Sequence, residues 1–174
     1  MKKFEFFLLL GLLCLCPKLS AQHMPTRVFP TPQEIEVTNQ PFISADFRIT
    51  GLKSVDSVAI SFLKEILPFG STKKAIPIKI SFLKDKQAEL QRSGAYRLKI
   101  TDKSISIEIK DDRSLFYAAQ TIKQLVSKTN DGKIKLYPCM ITDYPDVAYR
   151  GTVEGFYGTP WSFDDRIEQL RFYG

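Results

Sequence analysis

The stretch from Tyr96 to Val126 changes its hydrophobic period once, and that change limits the folds open to the chain. "AYRLKI" puts Tyr96, Leu98 and Ile100 on one face. "SISIEI" does the same with Ile105, Ile107 and Ile109, and Thr101-Asp102-Lys103 links the two runs. Alternation on both sides of a short polar turn predicts a β-hairpin with one buried face. Asp111-Asp112 then opens a different pattern, in which Leu115, Ala118, Ala119, Ile122, Leu125 and Val126 recur at helical spacing. Acids at the start and one apolar stripe predict a helix that lies on the hairpin's sheet.

The flanking sequence extends this plan. "QEIEVT" and "ADFRIT" alternate as short strands, and "AIPIKISF" places Ile76, Ile78, Ile80 and Phe82 on one face, with Pro77 marking an edge or a strand start. Ser54 reads as the N-cap of a helix carrying Val55, Ala59, Phe62, Leu63 and Ile66, which ends at Pro68-Phe69-Gly70. "TNDG" predicts a turn, and Ile134 with Leu136 another strand. The order β-β-α-β-β-β-α-β predicts an α+β domain over residues 34–145, a mixed sheet with two helices on one face. Residues 22–33, polar and rich in proline, read as a linker.

Composition bounds the chemistry. With 44% hydrophobic and 25% charged residues, the chain has the make-up of a packed globular domain. Met1-Lys2-Lys3, the apolar run Phe6 to Cys16 and Leu19-Ser20-Ala21, which offers a small residue at a cleavage point, predict a secretory signal peptide over residues 1–21. The protein is therefore expected to be exported, periplasmic or secreted, with no stable membrane span after cleavage. The remaining lysines are dispersed among acids, which argues against a nucleic-acid groove. Cys139 is the one cysteine outside the signal, set in an apolar strand beside Pro138, and it reads as a small core residue. His23 is the single histidine, so neither a Cys-His enzyme nor a His/Cys metal site is expected, and no cofactor is implied.

Residues 146–174 differ in character. After the polar bridge "TDYPDV", "AYRGTV" predicts a strand, "EGFYGTPW" a tight aromatic loop and "SFDDRIEQLRFYG" a helix. Ser162 reads as that helix's N-cap, Asp164-Asp165 sit in its first turn, and Gly174 reads as a C-cap. Phe163, Ile167, Leu170 and Tyr173 are expected to face inward. A loop at the carboxyl end of a strand is where parallel α/β folds build their sites. Gly155 and Gly158 let the backbone approach a ligand, and Phe156, Tyr157 and Trp161 offer flat faces suited to a sugar ring. Composition leaves two readings open, a pocket loop and a packed structural turn.

"YRGTVEGFYGTPWSFDDRIEQLRFYG" resembles the opening of the catalytic barrel of glycoside hydrolase family 84, the O-GlcNAcase-like β-N-acetylglucosaminidases. Upstream, "FPTPQEIEV", "GAYRLKI" and "DDRSLFYAAQTIKQLV" leading to "ITDYPDVAYRG" resemble the hexosaminidase-type domain that precedes the barrel there and in family 20. The resemblance implies that residues 146–174 are the first strand-loop-helix of a (β/α)₈ barrel. It implies removal of terminal β-linked N-acetylglucosamine with retention, the substrate's 2-acetamido oxygen serving as nucleophile, outside the usual two-carboxylate scheme. In that scheme one Asp of an adjacent pair orients the acetamido group and its neighbour is the general acid/base. That pair lies further along the family's barrel, so no catalytic residue is expected in this chain. Asp164-Asp165 and Asp111-Asp112 look like the pair but sit at helix starts.

What the family pattern does place here is part of a sugar pocket. The carbonyl of Gly155 accepts from a sugar hydroxyl, and Phe156 and Tyr157 line the wall. Glu154 is left between substrate contact and ion pairing, and Trp161 is expected to pack the helix against the strand. The implied partner is an N-acetylglucosamine-containing glycan or glycoprotein. A (β/α)₈ barrel takes about 250 residues, so the chain reads as an N-terminal fragment that is inactive by itself. The alternative is a stand-alone exported α+β domain with a binding or scaffold role and no catalysis.

Overall fold

The computed structural model describes residues 28–51, 57–153, 155 and 158–173. Its elements in chain order are β1 (Glu34–Val37), β2 (Phe42–Ser44), β3 (Phe47–Gly51), α1 (Ser57–Ile66) and β4 (Ile76–Phe82). A short 3-10 turn (Glu89–Gln91), β5 (Tyr96–Ile100), β6 (Ile105–Ile109) and α2 (Asp112–Leu125) follow. β7 (Ser127–Lys128), β8 (Ile134–Leu136), β9 (Cys139–Asp143) and α3 (Phe163–Tyr173) complete the order.

The hairpin is the centre of a six-stranded sheet of order β1-β9-β5-β6-β4-β3. β5 and β6 pair antiparallel with Tyr96 opposite Ile109 and Ile100 opposite Ile105. β4 joins β6 in parallel, Ile78 beside Ile105 and Ile80 beside Ile107, and β3 extends the parallel part. β9 inserts antiparallel between β5 and β1, bringing Ile141 opposite both Leu98 and Ile35. Because every register keeps the apolar set in phase, one continuous apolar layer runs from Phe47 to Ile141.

Both helices lie on that layer. α2 buries Leu115, Ala118, Ala119, Ile122 and Leu125, the stripe read from the sequence, and α1 buries Ala59 and Leu63 beside it. Phe62 of α1 stacks on Phe116 of α2 with ring centroids 5.6 Å apart. A fully buried Ile or Leu stabilises the fold by about 1.5–3 kcal/mol, so this layer carries the domain. The mixed sheet with helices on one face is the α+β domain expected.

β2, β7 and β9 are absent from the element order read from the sequence. β2, β8 and β7 form a separate three-stranded antiparallel sheet, and β2 and β7 are too short to show a period. Cys139 is buried at the start of β9, where burial pushes its thiol up to about 12, so it is an inert core residue. Residues 28–33, read as a linker, lie against the domain. Val28 enters the core, and the Phe29 main chain exchanges hydrogen bonds with the Gln124 side chain at 2.8 and 2.9 Å.

The C-terminal unit departs from expectation. Residues 148–153 form no strand, and Tyr149 and Val153 are 95% and 98% exposed. A strand needs a neighbour to satisfy its N–H and C=O groups, and no edge of either sheet receives this segment. The helix forms as α3, but Phe163 and Leu170 are 76% and 67% exposed and Tyr173 also faces solvent. The apolar positions were read at the right spacing; what they were expected to face is not supplied by the described residues. Among the described residues no barrel strand is formed. The signal peptide expected over residues 1–21, the expected N-cap Ser54 and the expected C-cap Gly174 lie outside the described residues. Among the described residues no helix is long and apolar enough to cross a membrane.

Candidate functional site

The site is organised by the cap of α3. The Ser162 hydroxyl donates to Asp165 Oδ2 at 2.6 Å, and the Ser162 N–H reaches the same oxygen at 3.1 Å. In return, the Asp165 N–H donates to Ser162 Oγ at 3.2 Å. This reciprocal pair is a capping box, and it occupies donors that the first turn of a helix otherwise leaves open. The Ser162 hydroxyl and amide hold the Asp165 carboxyl below its ordinary range. A general acid needs the opposite shift. Asp165 is a capping group, as its position in the sequence implied.

In front of the cap, Val153, Gly155, Gly158, Thr159, Pro160, Trp161 and Gln169 line a cavity of about 150 Å³. The structure thus brings Gly155 together with Trp161, which is half exposed. Trp161 was expected to pack a strand against the helix; with no strand at 148–153, it borders the cavity instead. The sequence-predicted site residues Phe156 and Tyr157, and with them Glu154, lie outside the described residues. Gln169 was not singled out from the sequence. It follows Ser162 by seven residues, two turns along the same helix face, and its Nε2 donates to the Tyr173 hydroxyl at 3.2 Å.

Among the described residues, the cavity's lining contains no titratable side chain. It offers glycine backbone, a threonine hydroxyl, an indole and an amide, which bind by hydrogen bonding and stacking and cannot transfer protons at neutral pH. Among the described residues no group of three or more His, Cys, Asp or Glu side chains is placed to hold a metal ion.

Asp143 and Tyr96, both raised by burial, lie at the other end of the segment that feeds the cavity. Asp143, the last residue of β9, accepts from the Tyr96 hydroxyl at 3.2 Å and from the Gln33 N–H at 3.3 Å. Burial raises its carboxyl above the usual range, and burial together with the Asp143 charge raises the Tyr96 phenol. Thr121 completes the group, its hydroxyl 2.6 Å from that of Tyr96. No local sequence signal marks this cluster, because its members are spread over four parts of the chain.

Residues 25–144 match the sequence model of glycosyl hydrolase family 20, domain 2, and residues 150–174 match that of beta-N-acetylglucosaminidase. N,N'-diacetylchitobiase of Vibrio harveyi is 29% identical over 139 residues, 78% of this chain and 15% of the relative. The solved structure of CpGH84B superposes with a TM-score of 0.69 at 26% identity, over 85% of this chain and 28% of that one. The exo-β-N-acetylglucosaminidase of Vibrio harveyi, solved in complex with N-acetylglucosamine, has a TM-score of 0.57 at 23% identity, over 71% of this chain and 20% of that one. The chain therefore spans under a third of the length of each of these relatives.

Proposed function

The chain belongs to the glycosyl hydrolase family 20, domain 2 family, and from that premise we propose that it is the leading part of an exported β-N-acetylglucosaminidase of the family 84, O-GlcNAcase-like type. The observation that carries this reading is the beta-N-acetylglucosaminidase match over residues 150–174, the same segment that forms the cavity. The superposition on CpGH84B supports the family 84 assignment, and the leader at residues 1–21 supports export.

The proposed substrate is a glycan or glycoprotein ending in β-linked N-acetylglucosamine. Gly155 supplies a backbone carbonyl to a sugar hydroxyl, and Phe156 and Tyr157 form the apolar wall. The 2-acetamido oxygen attacks the anomeric carbon while a general acid protonates the departing oxygen, and a ring-fused oxazoline intermediate forms. Water then opens that intermediate, giving its proton to the same carboxylate, and the sugar leaves with its configuration retained. The acidic pair that orients the acetamido group and moves the proton is assigned to barrel strands beyond Gly174. This chain holds the sugar and does not cut the bond.

The test is to read the gene past codon 174 and to assay both forms on a chromogenic β-N-acetylglucosaminide. An in-frame barrel carrying an adjacent acidic pair, active in the whole protein and inactive in the 174-residue chain, is expected. A stop codon at that point, with no hydrolysis, would replace this reading with a non-catalytic binding domain.

A further inference from the structure

Residues 143–150 connect β9 to the cavity loop, and the α+β domain grips them at successive points. Tyr96 donates to the Asp143 carboxylate at 3.2 Å. Gln33 Nε2 donates to the Tyr144 carbonyl at 3.4 Å and to Asp146 Oδ1 at 2.9 Å. Arg92 donates to the Pro145 carbonyl at 3.2 Å while its guanidinium lies 5.2 Å from the centre of the Tyr144 ring. Further along, the Arg150 guanidinium stands 5.2 Å from the centre of the Tyr117 ring on α2.

The gripping groups are themselves held. Asp111, the N-cap of α2, accepts from the Ser93 hydroxyl at 2.5 Å and from the Gly94 N–H at 3.1 Å, which pins the loop that carries Arg92. Gly94 fits so closely that a Cβ there would lie 2.8 Å from the Tyr117 ring. The start of α2 thus fixes the Arg92 loop and, through Tyr117, the far end of the segment. Two of the contacts fall on main-chain carbonyls, those of Tyr144 and Pro145, so they fix the path of the backbone whatever side chains it carries. Exposure rises along the segment, from half-buried Asp143 to Pro145 to exposed Asp146 to Arg150, so past Pro145 these contacts replace core packing.

We propose that residues 143–150 form a clamped strap that sets the direction in which the backbone enters the cavity loop, with Arg92 and Gln33 as positioning residues for that loop. The strap's consequence for sugar binding rests on the function proposed above; the clamp itself does not.

The test uses the whole 174-residue chain with Gln33→Ala, Arg92→Ala, their combination, and Arg92→Lys. Gln33→Ala removes the side-chain grip and keeps the main-chain N–H that Asp143 accepts. Trypsin cleavage at Arg150–Gly151 is followed by mass spectrometry beside cleavage at Lys79–Ile80, inside the sheet. Loss of the clamp lowers the cost of local opening, so the double variant is expected to be cut at Arg150–Gly151 about five-fold faster or more, with Lys79–Ile80 and the circular-dichroism melting curve unchanged. Arg92→Lys keeps a donor for Pro145 and loses the planar stack on Tyr144, and it should fall between parent and Arg92→Ala. Rates within about two-fold of the parent in every variant, or equal acceleration at both bonds, would overturn the proposal. Should Arg92→Ala fail to fold, Gln33→Ala and Arg92→Lys decide the matter by the same two rates. No substrate is involved, so this result and the outcome of the hydrolysis assay are read separately.

Discussion

Tyr96 and Asp143 stand directly opposite each other on paired strands, and the phenol donates to the carboxylate at 3.2 Å. The contact ties the central hairpin to the last residue of β9, where the chain leaves the domain for the cavity. Thr121 lies 2.6 Å from the same hydroxyl, so α2 is tied in as well. Tyr96→Phe keeps the ring's packing and leaves Asp143 without this donor. The expected cost is about 1–3 kcal/mol, read in urea unfolding as a lower midpoint at unchanged slope.

Asp143 itself gives a pH prediction. Burial raises its folded-state pKa, so the native state binds the proton more tightly than the unfolded chain does. The stability this contributes is present in full below the ordinary carboxyl value and is lost as pH rises through the folded pKa. Asp143→Asn is neutral throughout and lacks that loss. Measured as variant minus parent, stability should therefore rise from about pH 4 towards neutrality. Parallel curves would show that Asp143 titrates normally.

Asp111 should behave in the opposite sense. Burial raises its carboxyl, but hydrogen bonds from Ser93, Ser114 and Gly94 outweigh it and leave the pKa lowered. Its stabilisation is present above the ordinary carboxyl value and disappears as pH falls through the lowered one. Asp111→Ala removes the cap of α2 and is expected to cost about 1–2 kcal/mol near neutral pH. The gap from the parent should close below about pH 4.

Gly94 has φ of +89°, and a Cβ there would meet the Tyr117 ring. Strain and contact add, and Gly94→Ala is expected to destabilise by about 1–3 kcal/mol in thermal unfolding. Combining it with Tyr117→Ala relieves the contact but not the φ. The double variant should recover part of the loss attributable to Gly94→Ala, and strict additivity would show that the ring is not the obstacle.

On the proposed function, Tyr157→Ala in the whole protein is expected to raise KM for an N-acetylglucosaminide by about ten-fold, as for the loss of one apolar wall of a binding site. Unchanged KM and kcat would remove Tyr157 from the site.

Much of the domain was legible because near neighbours encode it. The alternation of Tyr96 to Ile109 and the helical stripe of Leu115 to Leu125 each mark an element and the face it buries. The caps of α2 and α3 were equally readable, since Asp111 and Ser162 act on residues three positions away. Gly155 and Gln169 both line the cavity, and an amide on a helix surface such as Gln169 carries no local sequence signal.

Sequence alone determined which segments become strands and helices over most of the α+β domain and which side chains form its apolar layer, because periodicity is a property of adjacent residues. Tertiary structure decided that β9 slots between β1 and β5, and that Asp143 is thereby buried against Tyr96. It also decided that residues 148–153 stay unpaired and that Phe163 and Leu170 point to solvent. Strand pairing and burial are long-range: a segment with the pattern of a strand becomes one only where another backbone presents its free N–H and C=O groups.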